Sequence, residues 1–342
     1  MVLDGADGMR PVSLPIYPVT YPDGYRLNQN ESQFPVPSRL YDQLATISFQ
    51  DLHEYPVQPI DELFTRYAAY AGVEPNQLLV GCGSDEMIHV VTQALLAPED
   101  VVLSPSPDFA LYPIFTTIAH GRHVQADDLS YDALVQAITQ HTPKLLLLSN
   151  PNNPTGKLWS VAELAELAGL VPYLIVDEAY IDFTPTSSMV AHLDSFANVI
   201  VLRTLSKAFG LANVRLGFMV TSTKLAAYFR QFVPPFNISG VSAKIANIFL
   251  QDATYLDEAI AWHADMRGQW TDLFATIGHV HPAEANFIYV TLDEPEAVWA
   301  HLVAHGVHTS KQPNGIRITL GNESALEATR QALVTFASQP TA

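Results

Sequence analysis

The stretch VIVLRTLSKAFGLANVRLGFMV, residues 199–220, sets Arg203, Lys207 and Arg215 between two apolar runs. Residues 199–202 and 216–220 read as buried strands, and the Ser, Gly and Asn positions between them read as loop. Lys207 is therefore held on a loop beside a sheet, next to Ser206 and eight residues before Arg215. A lysine so placed can form a Schiff base with an aldehyde while the arginine holds an anion. A solvated surface loop with an ordinary lysine and arginine has the same local pattern. The rest of the chain has to decide between them.

At 342 residues the chain is long enough for two domains, since single cores stop growing at roughly 250–300 residues. Lys and Arg number 17 against 35 Asp and Glu, a formal charge of −18. That field repels nucleic acid and anionic membranes, so neither is expected as a partner, and an anionic ligand needs a local cationic pocket. The single cysteine, Cys82, rules out an intrachain disulfide framework and fits a reducing compartment. The acidic first ten residues lack the apolar core of a signal peptide, and no run approaches the roughly 18 apolar residues of a membrane span. A cytoplasmic protein is expected. The histidines, among them His53 and His89, show no metal-ligand spacing, so no metal is expected.

Residues 1–37, rich in Pro, Tyr and Asn, read as an arm that includes LNQNE at 27–31. A large unit is expected over 38–240 and a smaller one over 241–342. Residues 60–71 have helical spacing, with Asp61 as a candidate cap. A short strand at 78–80 runs into GCGSDE, 81–86, and then a helix. Strand, glycine turn and helix N-terminus together make an anion site, although a plain turn capped by Ser84 or Asp85 has the same sequence. After a strand at 101–104, the prolines of SPSPDFALY preclude a regular helix and place Phe109 and Tyr112 in a loop. The run KLLLLS, 144–149, is a strand buried on both faces, and NPNNPTG follows at 150–156. Ser160 and Glu163 form a capping box, as do Ser324 and Glu327. The strand at 173–176 delivers Asp177 and Glu178, two acids that are costly after an apolar strand unless paired. The alternation over 78–220 predicts a mostly parallel α/β sheet with its ligands at the carboxyl ends of the strands. Strands at 287–292, 307–309 and 316–320 between helices predict a small α+β unit, with Arg317 facing away from its apolar neighbours.

Together, NNPTG at 152–156, DEAY at 177–180 and TLSKAFGLANVRLGF at 204–218 resemble the fold type I pyridoxal-phosphate aminotransferases. LNQNE, the Tyr55-Pro56 pair, GSDE at 83–86 and GIRITLG at 315–321 narrow the resemblance to the histidinol-phosphate aminotransferase family. It spans about residues 25–335. The resemblance implies a pyridoxal 5′-phosphate cofactor bound covalently to Lys207, whose pKa Arg215 and partial desolvation lower, with Asp177 on the pyridine nitrogen. Tyr180 and Asn153 would bond the ring's O3′, and Phe109 and Ala179 would cover the ring faces. Ser84, Asp85, Thr204, Ser206 and Arg215 would hold the phosphate. Tyr55 would reach the neighbouring subunit's cofactor in a homodimer. Arg317, Asn153 and Asn30 would meet the substrate, an amino donor or a 2-oxo acid such as 2-oxoglutarate.

The family usually has a further arginine after the strand that begins near Val307. Here VHTSKQPNG puts Ser310 at that place with Lys311 beside it. An aromatic or other amino donor is therefore an alternative to histidinol phosphate. So is an amino-acid phosphate decarboxylase on the same fold.

Overall fold

The computed structural model describes residues 23–48, 50, 52–184 and 188–338. Most of the expected arm thus lies outside the described residues. A seven-stranded sheet is built from β2 (Leu78–Gly81), β3 (Val101–Ser104), β4 (Arg122–Gln125), β5 (Leu145–Ser149), β6 (Tyr173–Asp177), β7 (Val199–Thr204) and β8 (Gly217–Thr221). Its order is β2-β8-β7-β6-β5-β3-β4. Only β8 runs against the rest, pairing antiparallel with both β2 and β7. The loops after β2, β3, β5, β6 and β7 consequently open at one edge, as the alternation predicts.

The apolar runs are explained by layers on both faces of this sheet. Leu146 and Leu148 enter one core with α2 (Val57–Ala71), α5 (Tyr131–His141) and α6 (Val161–Leu170). Leu145 and Leu147 enter the other with α3 (Ser84–Leu95), α4 (Tyr112–Ile118) and α7 (Thr223–Phe229). A strand covered on both sides has no solvent face to carry polar residues.

A second sheet, ordered β1-β11-β12-β10-β9, combines β1 (Tyr25–Leu27), β9 (His279–His281), β10 (Phe287–Thr291), β11 (Val307–Gln312) and β12 (Gly315–Thr319). It packs against α9 (Tyr255–Phe274), α10 (Pro295–Ala304) and α11 (Glu323–Ala337). The arm joins it directly: β1 pairs parallel with β11, and Leu27 is buried in its core. Helix α8 (Gly240–Gln251), placed by the expected boundary in the small unit, instead buries Ala243, Ala246 and Phe249 in the large-sheet core. Among the described residues no helix is long and apolar enough to cross a membrane.

Several local expectations change. Helix α2 starts at Val57 after Pro56, so Asp61 lies within it and caps nothing. Asn322 caps α11 by accepting from the Ala325 N–H, in place of the Ser324–Glu327 box. The Ser160–Glu163 box is present on α6. Tyr112 opens α4, with Pro113 in the first turn, where the missing N–H costs nothing.

The two acids after β6 have different partners. Glu178 lies 3.2 Å from the Arg203 guanidinium of the next strand and accepts the Met189 N–H. Arg203 also pairs with Asp182 at 2.5 Å, which in turn accepts from Tyr70. The guanidinium and both carboxylates are buried, and burial alone pushes the Glu178 carboxyl up while Arg203 opposes it. Removing one partner of such a set strands the others. Arg203→Met is expected to lower stability by about 3–5 kcal/mol, read as a lower urea midpoint. A midpoint equal to wild type would remove the network from the fold's support.

Candidate active site

Lys207 stands just past β7, and its Nζ donates to the main-chain oxygens of Gln29 at 3.2 Å and Asn30 at 3.3 Å. Burial pushes its pKa down to about 8, the Arg317 charge adds to this, and Asp85 and Glu31 oppose it. Arg215, expected to lower it together with desolvation, does so but makes the smallest of these contributions. The physical reason is position: Arg215 projects toward Asp85, 3.5 Å away, with its guanidinium partly in solvent.

Asn30 is buried and left-handed, with φ +54°, a conformation asparagine tolerates better than most residues. Its amide donates to the Tyr180 hydroxyl at 2.9 Å, and its main chain bonds the Thr319 hydroxyl of β12 at 2.9 Å. Its carbonyl accepts from Asn286 at 3.0 Å as well as from Lys207. Burial raises the Tyr180 hydroxyl to about 12 against the lowering effects of Arg317 and Asn30. Arg317 donates to Asn153 Oδ1 at 2.5 Å and to the Asn28 carbonyl at 2.5 Å. The predicted Lys207, Tyr180, Asn30, Asn153 and Arg317 thus meet where the two sheets face each other.

Asp177 ends β6 beneath them, accepting from the Ala179 N–H and, at 3.2 Å, from the Tyr112 hydroxyl. Burial pushes this carboxyl up to about 7 and Asp85 adds to the shift, while Tyr112, the Ala179 N–H and Lys207 oppose it. It is a buried acid whose hydrogen-bond donors are both neutral.

The N-terminus of α3 forms the site's other end. Gly83, not Ser84 or Asp85, is its cap residue, so those two occupy the first turn. A Cβ on Gly217 would lie 2.1 Å from Gly83 C and Ser84 N, and one on Gly83 would lie 2.5 Å from the Arg215 guanidinium. Two glycines therefore let strand, helix N-terminus and cation close on one small space. Thr204 and Ser206, joined at 3.0 Å, stand at the end of β7. A helix N-terminus, two hydroxyls and a guanidinium together favour a phosphate-sized anion.

Two expected residues are less enclosed. Phe109 packs edge-on against Tyr112 at 5.5 Å. Tyr55 is 76% exposed and stacks on Phe236 at 4.6 Å, outside the cluster of its own chain. Sequence reasoning missed Tyr112 as a partner of Asp177, and missed Asn286 and Asp108 altogether. The signal for Tyr112 was its spacing of three from Phe109, which the turn closed by the Tyr112 N–H on the Phe109 carbonyl, at 3.2 Å, brings together. In the small sheet β11 extends to Gln312, beyond the expected Thr309, so Ser310 pairs with Arg317 across β12 and shares its face. Lys311 faces the other way, bonded to Glu296 and 5.3 Å from the Trp299 ring.

A sheet of this topology, with a lysine, an acid and an anion cradle at one edge, defines a class. The model of the aminotransferase class I and II family matches residues 22–333, and the chain belongs to that family. It is 31% identical over 325 residues to a histidinol-phosphate aminotransferase of Lactiplantibacillus plantarum, covering 91% of each chain. Among solved structures, histidinol-phosphate aminotransferase from Sinorhizobium meliloti in complex with pyridoxal-5′-phosphate has a TM-score of 0.85 at 24% identity, covering 93% of this chain and 94% of that one. L-threonine-O-3-phosphate decarboxylase from Porphyromonas gingivalis also shares the fold, with a TM-score of 0.76 at 19% identity and coverage of 92% and 100%.

The depressed Lys207 pKa sets a sign. An amine reacts in its neutral form, so in cofactor-free protein Lys207 should label with an amine-directed reagent at a rate rising up to pH about 8 and level above it. Surface lysines should keep rising past pH ~10. Arg317→Met should move the Lys207 midpoint upward. Labelling of Lys207 that follows the surface lysines would contradict the assigned environment.

Proposed function

We propose that the chain transfers an amino group from histidinol phosphate to 2-oxoglutarate with pyridoxal phosphate as cofactor. The observation that carries this reading is the convergence of Lys207, Asn30, Tyr180, Asn153 and Arg317 above Asp177. Curated relatives that match over most of the chain, among them those of Lactiplantibacillus plantarum and Thermoanaerobacter sp., carry the histidinol-phosphate aminotransferase name.

The residues fit the cofactor. The glycine cradle at Gly83 and Gly217 opens onto Arg215, and Asp177 is a buried acid served by neutral donors. Bound there, pyridoxal phosphate supplies an electrophilic aldehyde and an electron-withdrawing ring. Lys207 would hold it covalently, and Asp177 would keep a proton on its ring nitrogen. Tyr180 accepts from Asn30 and so keeps its own hydrogen for the ring hydroxyl, while Asn153 has its Nδ2 group to offer. Phe109 and Ala179 would cover the ring faces. The first-turn N–H groups of Ser84 and Asp85, with Thr204, Ser206 and Arg215, would take the phosphate.

Released from the cofactor, the Lys207 amine would take the proton from the substrate Cα. The Gln29 and Asn30 carbonyls would hold that amine in place between transfers. Arg317 would receive the substrate carboxylate, a charged acceptor where Asn153 and Asn28 offer neutral oxygens.

A second reading, a donor with a neutral or aromatic end, is favoured by one observation. Ser310 stands beside Arg317, and Lys311, on the opposite face, cannot supply the missing charge. The exposed Tyr55, Val57 and Phe236 make an apolar surface that a second copy would cover, carrying Tyr55 to the neighbouring cofactor in a homodimer.

Borohydride should attach the cofactor irreversibly to Lys207, located by peptide mass. Attachment unchanged in Lys207→Ala would refute the assignment. Single-turnover assays with histidinol phosphate, phenylalanine, tyrosine and glutamate should show conversion of the cofactor by histidinol phosphate. Conversion by phenylalanine alone would select the second reading, and carbon dioxide release without a keto product would select decarboxylation. Tyr55→Ala should weaken cofactor binding roughly ten- to a hundredfold, the weight of a hydrogen bond to a charged group, and sedimentation should show a dimer. A monomer that binds the cofactor fully would overturn the shared site.

A further inference from the structure

One half-buried carboxyl near the site has no part in the chemistry above. Asp108 follows β3, and a single oxygen, Oδ1, accepts from both the Phe109 N–H, at 2.8 Å, and the Ser149 hydroxyl. Its other oxygen accepts from the Ser149 N–H at 3.2 Å. Ser149 is 2% exposed, is the last residue of β5, and lies in register with Asp177 of β6. The Ser149 oxygen in turn accepts from the Asn153 N–H at 2.9 Å. Asn152 strengthens the same junction, donating to the Pro107 carbonyl at 3.1 Å.

The consequence is geometric. The loop carrying Phe109 and the loop carrying Asn153 come from different strands, and their main chains offer no ladder to each other. Asp108 supplies the connection, because a carboxylate can accept several donors at once. Tyr112, which opens α4 where the Phe109 loop ends, reaches Asp177, and Asn153 reaches Arg317. Phe109 and Asn153 are thus held to one another through Asp108 and Ser149, and through Tyr112 and Asn153 the link extends to Asp177 and Arg317.

We propose that Asp108 is a positioning residue of the transamination site. Through Ser149 it fixes the Phe109 and Asn153 loops in one arrangement around Asp177, setting the cofactor ring's orientation and the reach of Arg317. The proposal rests on the cofactor reading given above. A side chain held about 1 Å out of place costs far more in a site than on a surface, since orientation is the quantity being supplied.

The test uses the full chain as wild type, Asp108→Ala, Asp108→Asn and Ser149→Ala. Cofactor affinity, the visible circular dichroism of the bound cofactor, and KM and kcat for the amino donor are measured together. Asp108→Ala is expected to weaken cofactor binding about tenfold, to reduce the visible dichroism, and to raise the donor KM with kcat falling less. Asp108→Asn keeps an oxygen for the Phe109 N–H and the Ser149 hydroxyl but turns its amide N–H toward the Ser149 N–H, and should recover part of the wild-type signal. Ser149→Ala, which leaves Asp108 in place, should show the same loss of dichroism, so the proposal stays testable if Asp108→Ala fails to fold. Wild-type dichroism, affinity and KM in Ser149→Ala or in folded Asp108→Ala would overturn it, with the cofactor site intact. Wild-type protein that takes up no cofactor would instead overturn the cofactor reading, and this proposal with it.

Discussion

The main-chain carbonyl of Asn30 accepts from Lys207 of the large unit and from Asn286 of the small one. Much of the site depends on this contact. The arm cannot leave without exposing the buried Asn286 amide and releasing the lysine. The strained φ of Asn30 persists because its side chain, carbonyl and N–H are all engaged, on Tyr180, Lys207 and Thr319. A short segment that adds only a three-residue strand to the small sheet thereby connects both sheets at the point where chemistry is expected.

Electrostatics organises the same region. Asp177 and Glu178 are adjacent in sequence, yet the pleat turns them to opposite sides of the sheet and to different partners. Glu178 has a buried arginine and serves stability; Asp177 has no cation bonded to it, and burial, with the Asp85 charge, raises its carboxyl against its two neutral donors, which suits it to a cationic N–H on a ligand. Lys207 is lowered by burial and by Arg317. The raised acid and lowered base lie in one cleft, a pattern that marks reactive sites more often than structural ion pairs. In a chain of net charge −18, the cations Lys207, Arg215 and Arg317 are concentrated where an anionic cofactor and substrate would bind.

Much of this was legible from residues 199–220 outward, because the signals are local. A run such as Leu145–Ser149 has no polar face, so it must be a strand covered on both sides, and the residues after it must emerge at the carboxyl edge. Glycines at 83 and 217, prolines at 151 and 154 and the acids at 177 and 178 each restrict the backbone or demand a partner. The strand at Val307 was read too short because Ser310, Lys311 and Gln312 carry no apolar pattern, and only pairing with β12 makes them strand. The cap of α11 was misplaced by two residues because Asn322 and Ser324 are both competent caps, and local sequence does not rank them.

By itself, then, the sequence determined the α/β class, the edge at which the loops after the parallel strands emerge and the order of those loops. These follow from periodicity and backbone restrictions that act over a few residues. Tertiary structure decided which groups touch. It set Arg317 ahead of Arg215 as the charge acting on Lys207, turned Lys311 away from Ser310's face, gave α8 to the large core, and tied Asp108 to Asn153 through Ser149. Each of those outcomes depends on the distance between residues far apart in the chain, which only the packing of one layer on another sets.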